Sequence, residues 1–173
     1  ESIPGWDCAA FCDAARNVGG DYYDYIPLSD GSTLVAIADV SGKGMSAALY
    51  MVKVQSMIRL FASETTDPCK ILSHLEQHLV RELRKNYFLT LSLIKINQEG
   101  NVEICRAGHL PALYFEAESD ACTRIEPAGL AIGFQRGQPP KADQPEYIDQ
   151  LRVETKACKD GDILFLYTDG VIE

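Results

Sequence analysis

With 173 residues, 46% of them hydrophobic, and a formal charge of -9, the chain has the apolar material for one sizeable core and lacks the clustered Lys and Arg that a nucleic-acid surface needs to hold phosphates. No apolar run is long enough to span a bilayer and the first residues lack the pattern of a signal peptide, so a cytoplasmic domain without membrane contact is expected. The six cysteines, Cys8, Cys12, Cys69, Cys105, Cys122 and Cys158, form no C-x-x-C pair and no zinc spacing with the three histidines; they are expected to be reduced and mostly buried.

In chain order, NVGGDYYDY (residues 17–25) sets two glycines ahead of two aspartates among three tyrosines. Gly19 and Gly20 tolerate conformations and approaches that a side chain forbids, so the chain either turns sharply or passes close to something just before Asp21. STLVAIADV (32–40) is apolar on both faces, which predicts a core strand between two layers with Asp39 at its end. Beyond SGKG, residues Ala47, Tyr50, Met51, Val54, Met57, Ile58 and Phe61 recur at helical spacing while Lys53, Ser56, Arg59 and Ser63 share the other side, predicting an amphipathic helix. SGKG itself is not a phosphate loop, since Ile37 and Gly44 stand where that motif requires Gly and Ser or Thr.

A second helix is predicted within TDPCKILSHLEQHLVRELRKN (66–86), with Asp67 as N-cap, Pro68 at the first position, apolar Ile71, Leu72, Leu75, Leu79 and Leu83, and Arg84 and Lys85 near the carbonyl end. FLTLSLIKI, the turn NQEGN and VEICRAG (88–108) predict a hairpin. Its alternation slips at Leu93 and Ile94, as a bulge or a strand buried on both faces would produce. PALYFEA and CTRIEP, the alternating EYIDQLRVETK (146–156) and the apolar ILFLYT after KDGD supply further strands. Two helices among many antiparallel strands indicate an α+β layered domain.

Asp21, Asp39 and Asp169 share one setting, at a strand edge beside glycine with little Lys or Arg nearby. A cap or turn would account for any one of them. Their repetition points to a shared cation, and hard oxygen ligands without histidine suit Mg²⁺ or Mn²⁺. His109 in AGHLP is read as a structural hydrogen-bonding group rather than a proton donor, and Tyr22, Tyr23 and Tyr25 as packing.

VGGDYYD, ADVSGKGMSAAL, RAGHLPALYF, GLAIGF and GDILFLYTDGVIE, in this order and across nearly the whole chain, resemble the SpoIIE-type branch of the metal-dependent protein phosphatases, the protein phosphatase 2C superfamily. The resemblance implies two packed antiparallel β-sheets flanked by antiparallel helix pairs, with a two-metal Mn²⁺ or Mg²⁺ centre at one edge. It implies hydrolysis of phosphoserine or phosphothreonine on a regulatory protein, usually a STAS-type anti-sigma-factor antagonist. An upstream sensor or dimerisation domain would belong to the full-length protein, and the final apolar strand is expected to lack a neighbour or to borrow one from a second copy, as a homodimer would provide.

By motif, Asp21 matches the acidic ligand of the second metal, Asp39 the carboxylate bridging both metals, Val40 a backbone-carbonyl ligand of the first, and Asp169 the second-metal aspartate of the TDG motif. Asp24 matches a residue that orients water beside the metals. A two-metal centre needs no protein nucleophile, and no cysteine here has an arginine at cysteine-phosphatase spacing. Asn17 stands where this branch often has glutamate. Since the family continues past TDG with a helix, strands and one more metal-ligating aspartate, residues 1–173 are expected to be a single catalytic domain lacking that C-terminal part, its second-metal site incomplete. Two other readings are a catalytically weak binding module of the same fold and a cyclic-dinucleotide synthase resembling the GGDEF family. The latter gives ADVSGKG and YTDG no place.

Overall fold

Every pairing between strands is antiparallel in the computed structural model, which describes residues 3–12, 19–84, 87–134 and 146–171. Strands β1 (Asp21–Pro27), β2 (Thr33–Val40), β3 (Leu89–Ile96), β4 (Asn101–Ala107) and β7 (Val153–Ala157) form one sheet in the order β1-β2-β3-β4-β7. Strands β6 (Ala121–Ile125), β5 (Ala112–Glu116) and β8 (Ile163–Phe165) form a second, in the order β6-β5-β8. Helices α1 (Met45–Glu64) and α2 (Pro68–Leu79) cover the outer face of the larger sheet.

Strand periodicity explains the layering. From β2, Leu34, Ala36, Ala38 and Val40 point to the helices and meet Val54, Ile58, Ile71 and Leu75. Val35 points the other way, into a second cluster with Ile94, Ile96, Val102 and Ile104 that packs on Ala112, Tyr114 and Ile125 of the smaller sheet. The larger sheet is buried on both faces, which is why its central strands read as near-continuous apolar runs. The slip at Leu93 and Ile94 has the same origin. The β2–β3 ladder runs from Thr33 opposite Ile96 to Val40 opposite Leu89 with no extra residue, so β3 is doubly buried and carries no bulge.

Helix α1 buries Ala47, Met51, Val54, Ile58, Phe61 and Ala62 as its periodicity predicts. It also leaves Met45, Leu49, Val52 and Leu60 exposed, which the pattern did not announce. In α2 the Asp67 carboxylate accepts the N–H groups of Cys69 at 2.9 Å and Lys70 at 3.3 Å, satisfying donors that the helix start leaves open. The helix ends at Leu79, earlier than expected, because the chain turns there and returns Leu83 to the core. Arg84 is beyond the helix and Lys85 lies outside the described residues. The segment 146–156 is also shorter as a strand than its alternation suggests: Tyr147–Gln150 is a single 3-10 turn that buries Leu151 before β7 begins.

The cysteine expectation is corrected. Cys69, at the start of α2, and Cys105, on the helix-facing side of β4, are joined in a disulfide with Cα atoms 6.0 Å apart. Cys12 and Cys122 are exposed, and Cys8 and Cys158 half-buried. The bridge unites residues whose proximity arises only when α2 docks on the sheet. No helix among the described residues is long and apolar enough to cross a membrane.

Candidate metal centre

Neighbouring strands in register set residues of one parity side by side on one face. Asp21 lies opposite Asp39, and Asp39 opposite Thr90. Val35 and Ile94 share that parity and point between the sheets, so the row Asp21, Asp39, Thr90 faces the smaller sheet. After β8 the chain leaves that sheet and turns in a 3-10 segment, Asp169–Val171, which brings a third carboxylate to the row. Ligand oxygens of Asp21, Asp39 and Asp169 all lie within 4.8 Å of one another; the first two residues are half-buried and Asp169 is exposed.

The glycines ahead of Asp21 permit this approach. A Cβ on Gly20 would stand 2.6 Å from the Val40 carbonyl oxygen and 3.2 Å from Asp39 Oδ1. No side chain fits, and the closeness lets Val40 N–H donate to the Gly20 carbonyl at 3.2 Å. The Val40 carbonyl is thereby held beside Asp39. A Cβ on Gly170 would come 3.7 Å from Asp21 Oδ2, so the turn carrying Asp169 passes directly by β1. Like charges gathered this closely repel, and a divalent cation turns that repulsion into attraction. The all-oxygen donor set fits the hard cations Mg²⁺ and Mn²⁺.

Asp24 is not part of this group, which corrects its expected role. Three positions along a strand from Asp21, it pairs with Ala36 and faces the helices. There its carboxylate accepts from Arg59 Nε at 2.7 Å, Arg59 Nη2 at 2.6 Å and the Tyr22 hydroxyl at 2.6 Å. Burial first, then the hydrogen bond and charge of Asp24, pushes the Tyr22 phenol far above its ordinary pKa. This trio ties α1 to β1. Tyr22 packs on the helix-side core, while Tyr23 and Tyr25 meet edge to face. Asn17 lies outside the described residues.

His109 is 3% exposed, and its Nδ1 lies 2.8 Å from Thr90 Oγ1. Burial above all, against opposing pulls from the Tyr167 backbone and the Asp169 carboxylate, lowers its pKa to about 4 and keeps the ring neutral. The reading of His109 as a structural hydrogen-bonding group agrees with this geometry. Thr90, which completes the carboxylate row, was not singled out in the sequence; only the strand register reveals it. Asp162, in the KDGD turn, accepts from the Tyr114 hydroxyl, Ala117 N–H and Lys159 N–H.

Two stacked antiparallel sheets under a helix pair, with acidic side chains gathered at one end of the sandwich, define a domain of the protein phosphatase 2C fold. The family model of Stage II sporulation protein E (SpoIIE) matches residues 29–173. The chain belongs to the SpoIIE family. It is 26% identical over 168 residues to the phosphoserine phosphatase RsbU of Bacillus subtilis (strain 168), a match covering 96% of this chain and 47% of RsbU. The chain thus spans about half the length of that relative. The RsbU and RsbW domains of Rv1364c from Mycobacterium tuberculosis superpose with a TM-score of 0.70 at 23% identity, over 92% of this chain and 42% of that one. The PP2C phosphatase domain with a fragment of the regulatory domain of SpoIIE from Bacillus subtilis gives a TM-score of 0.69 at 19% identity, over 91% of this chain and 43% of that one. These likenesses bear out the expected α+β sandwich.

Proposed function

We propose that this domain is a Mn²⁺- or Mg²⁺-dependent protein serine/threonine phosphatase of bacterial signalling, with Asp21, Asp39 and Asp169 and the Val40 carbonyl as metal ligands. The convergence within 4.8 Å of two carboxylates from neighbouring strands of the larger sheet and a third from the 3-10 segment after β8 carries the reading. Membership of the SpoIIE family and the similarity to a protein named as a phosphoserine phosphatase support it. Asp39 would serve both halves of the centre, with Asp21 opposite it on β1 and Asp169 brought in beside them. Gly20 keeps the ligand strands close enough to act together. Bound divalent cations supply an activated water and neutralise charge on a phosphoryl group, so no side-chain nucleophile is needed. A phosphorylated regulatory protein of the STAS type is the proposed substrate.

The test is hydrolysis of p-nitrophenyl phosphate and a phosphoserine peptide across a Mn²⁺ titration, with circular dichroism as a folding control. Asp39→Asn is expected to abolish turnover while leaving the spectrum unchanged, and a chelator to do the same to the unaltered protein. Hydrolysis at the unaltered rate in the folded variant would remove Asp39 from the mechanism. Phosphorylated STAS proteins compared with unrelated phosphoproteins then test the substrate.

A further inference from the structure

We infer that Phe88 and Phe134 are specificity-determining residues for the phosphoprotein substrate: their edge-to-face rings, carried on backbone that borders the carboxylate centre, receive an apolar side chain two or three residues from the phosphorylated one. The inference rests on reading that centre as a phosphatase site.

The strand ladder ties the pair to the centre. Asp39 stands opposite Thr90, and Val40 opposite Leu89. One step further, Ser41 N–H donates to the Phe88 carbonyl at 2.9 Å and Phe88 N–H donates to Ser41 Oγ at 2.9 Å, so the pairing continues past the ends of both strands. Leu89 is buried in the core beneath the helices. By strand alternation Phe88 leaves the opposite face, the one that carries Asp39 and Thr90. One strand spacing of about 4.8 Å and two residues of about 3.3 Å each put the Phe88 and Asp39 backbones about 8 Å apart.

The backbone under the second ring is fixed as well. Leu89 and the buried Ile132 exchange both backbone hydrogen bonds at 2.9 Å, and Phe134 N–H donates to the Ala131 carbonyl at 3.3 Å. Gly133 turns between them at φ +85, where an added Cβ would stand 2.8 Å from Leu83 Cδ1 and 3.1 Å from the Tyr87 carbonyl oxygen. The Phe88 and Phe134 ring centroids lie 6.4 Å apart at 87°, yet the residues are 37% and 69% exposed. Apolar residues scattered singly over a surface are ordinary. Two aromatic rings in contact on a held backbone are instead the kind of anchor that carries binding energy at protein interfaces. An extended substrate chain advances about 3.3 Å per residue. With its phosphoryl group at the carboxylates, a side chain two or three positions away therefore reaches the rings.

The experiment compares the hydrolysis of two phosphoserine peptides with Mn²⁺, one carrying leucine and the other serine at the second and third positions on either side of the phosphorylated residue. The unaltered protein should favour the leucine peptide about tenfold in kcat/KM, and should do so through KM, because the rings touch the substrate away from the reacting atoms. Phe88→Ala and Phe134→Ala, checked for folding by circular dichroism, should each lose most of that preference by raising KM for the leucine peptide. Equal kcat/KM for the two peptides in the unaltered protein, or losses in the variants that fall equally on both peptides, would overturn the inference. If Phe88→Ala does not fold, an unchanged preference in Phe134→Ala, whose side chain is mostly in water, overturns it instead. An unaltered protein that hydrolyses neither peptide nor p-nitrophenyl phosphate would overturn the phosphatase reading and the inference with it, a result distinct from lost selectivity.

Discussion

Removing Arg59 should destabilise the domain more than neutralising its partner does. The Asp24 side chain is 10% exposed and the Arg59 side chain 50%, so the pair is buried at one end only. Arg59→Ala leaves a nearly buried carboxylate with only the Tyr22 hydroxyl and the Tyr25 N–H, at 2.6 and 2.9 Å. Breaking a fully buried pair this way costs about 3–5 kcal/mol. Since half the guanidinium is in water, the expected loss is about 2 kcal/mol. Asp24→Asn retains hydrogen-bonding atoms and frees a guanidinium that water can solvate, for a cost of about 1 kcal/mol. The double variant should lose about 2 kcal/mol in all, leaving a coupling of about 1 kcal/mol. Urea denaturation of the four proteins, with unchanged m-values, reads these numbers. A coupling below about 0.3 kcal/mol, or equal losses in the two single variants, would show that the apolar face alone holds α1 on the sheet.

Gly20→Ala should cost about 1–3 kcal/mol and weaken Mn²⁺ binding, because its Cβ would press on a backbone carbonyl that cannot yield; parallel urea and calorimetric titrations matching the unaltered protein would refute this. Reducing the Cys69–Cys105 bridge, which closes a loop of 36-residue separation, should cost about 3–4 kcal/mol, seen as a lower melting temperature with dithiothreitol that Cys105→Ser no longer shows. Asp30 is held well below the usual carboxylate range, first by its hydrogen bond to Lys95 and then by Ser32. A depressed folded pKa stabilises above the unfolded value and loses that effect as pH falls, so the stability difference between Asp30→Asn and the unaltered protein should shrink below about pH 4. A difference that stays constant down to pH 2 would contradict this.

Local patterns made much of the fold legible. The apolar run of β2, the 3.6-residue spacing of α1 and the Asp67-Pro68 start of α2 each have a cause within a few residues. Gly20 signalled a close approach, though not that Val40 and Asp39 were its object. Asp24 shows where such reading stops. Strand parity already puts it on the opposite face from Asp21, but its partner Arg59 comes from a helix whose docking angle no pattern encodes. The arrival of Asp169 beside the β1–β2 carboxylates and the Cys69–Cys105 bridge likewise depend on packing between layers. Where Leu83 and Leu151 had to reach the core, tertiary burial overrode helical and strand periodicity, and α2 and β7 came out shorter than their sequences suggest.

The three carboxylates come from the larger sheet and from the segment that follows the smaller one, and this orders events in folding. Asp21 and Asp39 meet as soon as one hairpin zips, a local step. Asp169 joins only after the chain has laid down every other strand and the sheets have closed on each other, which places its contact among the slowest to form. Their mutual repulsion then acts as a spring at the mouth of the sandwich. A divalent cation that binds all three would compress it, and because such a ligand favours only the closed form it would add to stability in proportion to the logarithm of its concentration. Divalent-ion availability in the surroundings would thereby set how firmly the two sheets are latched.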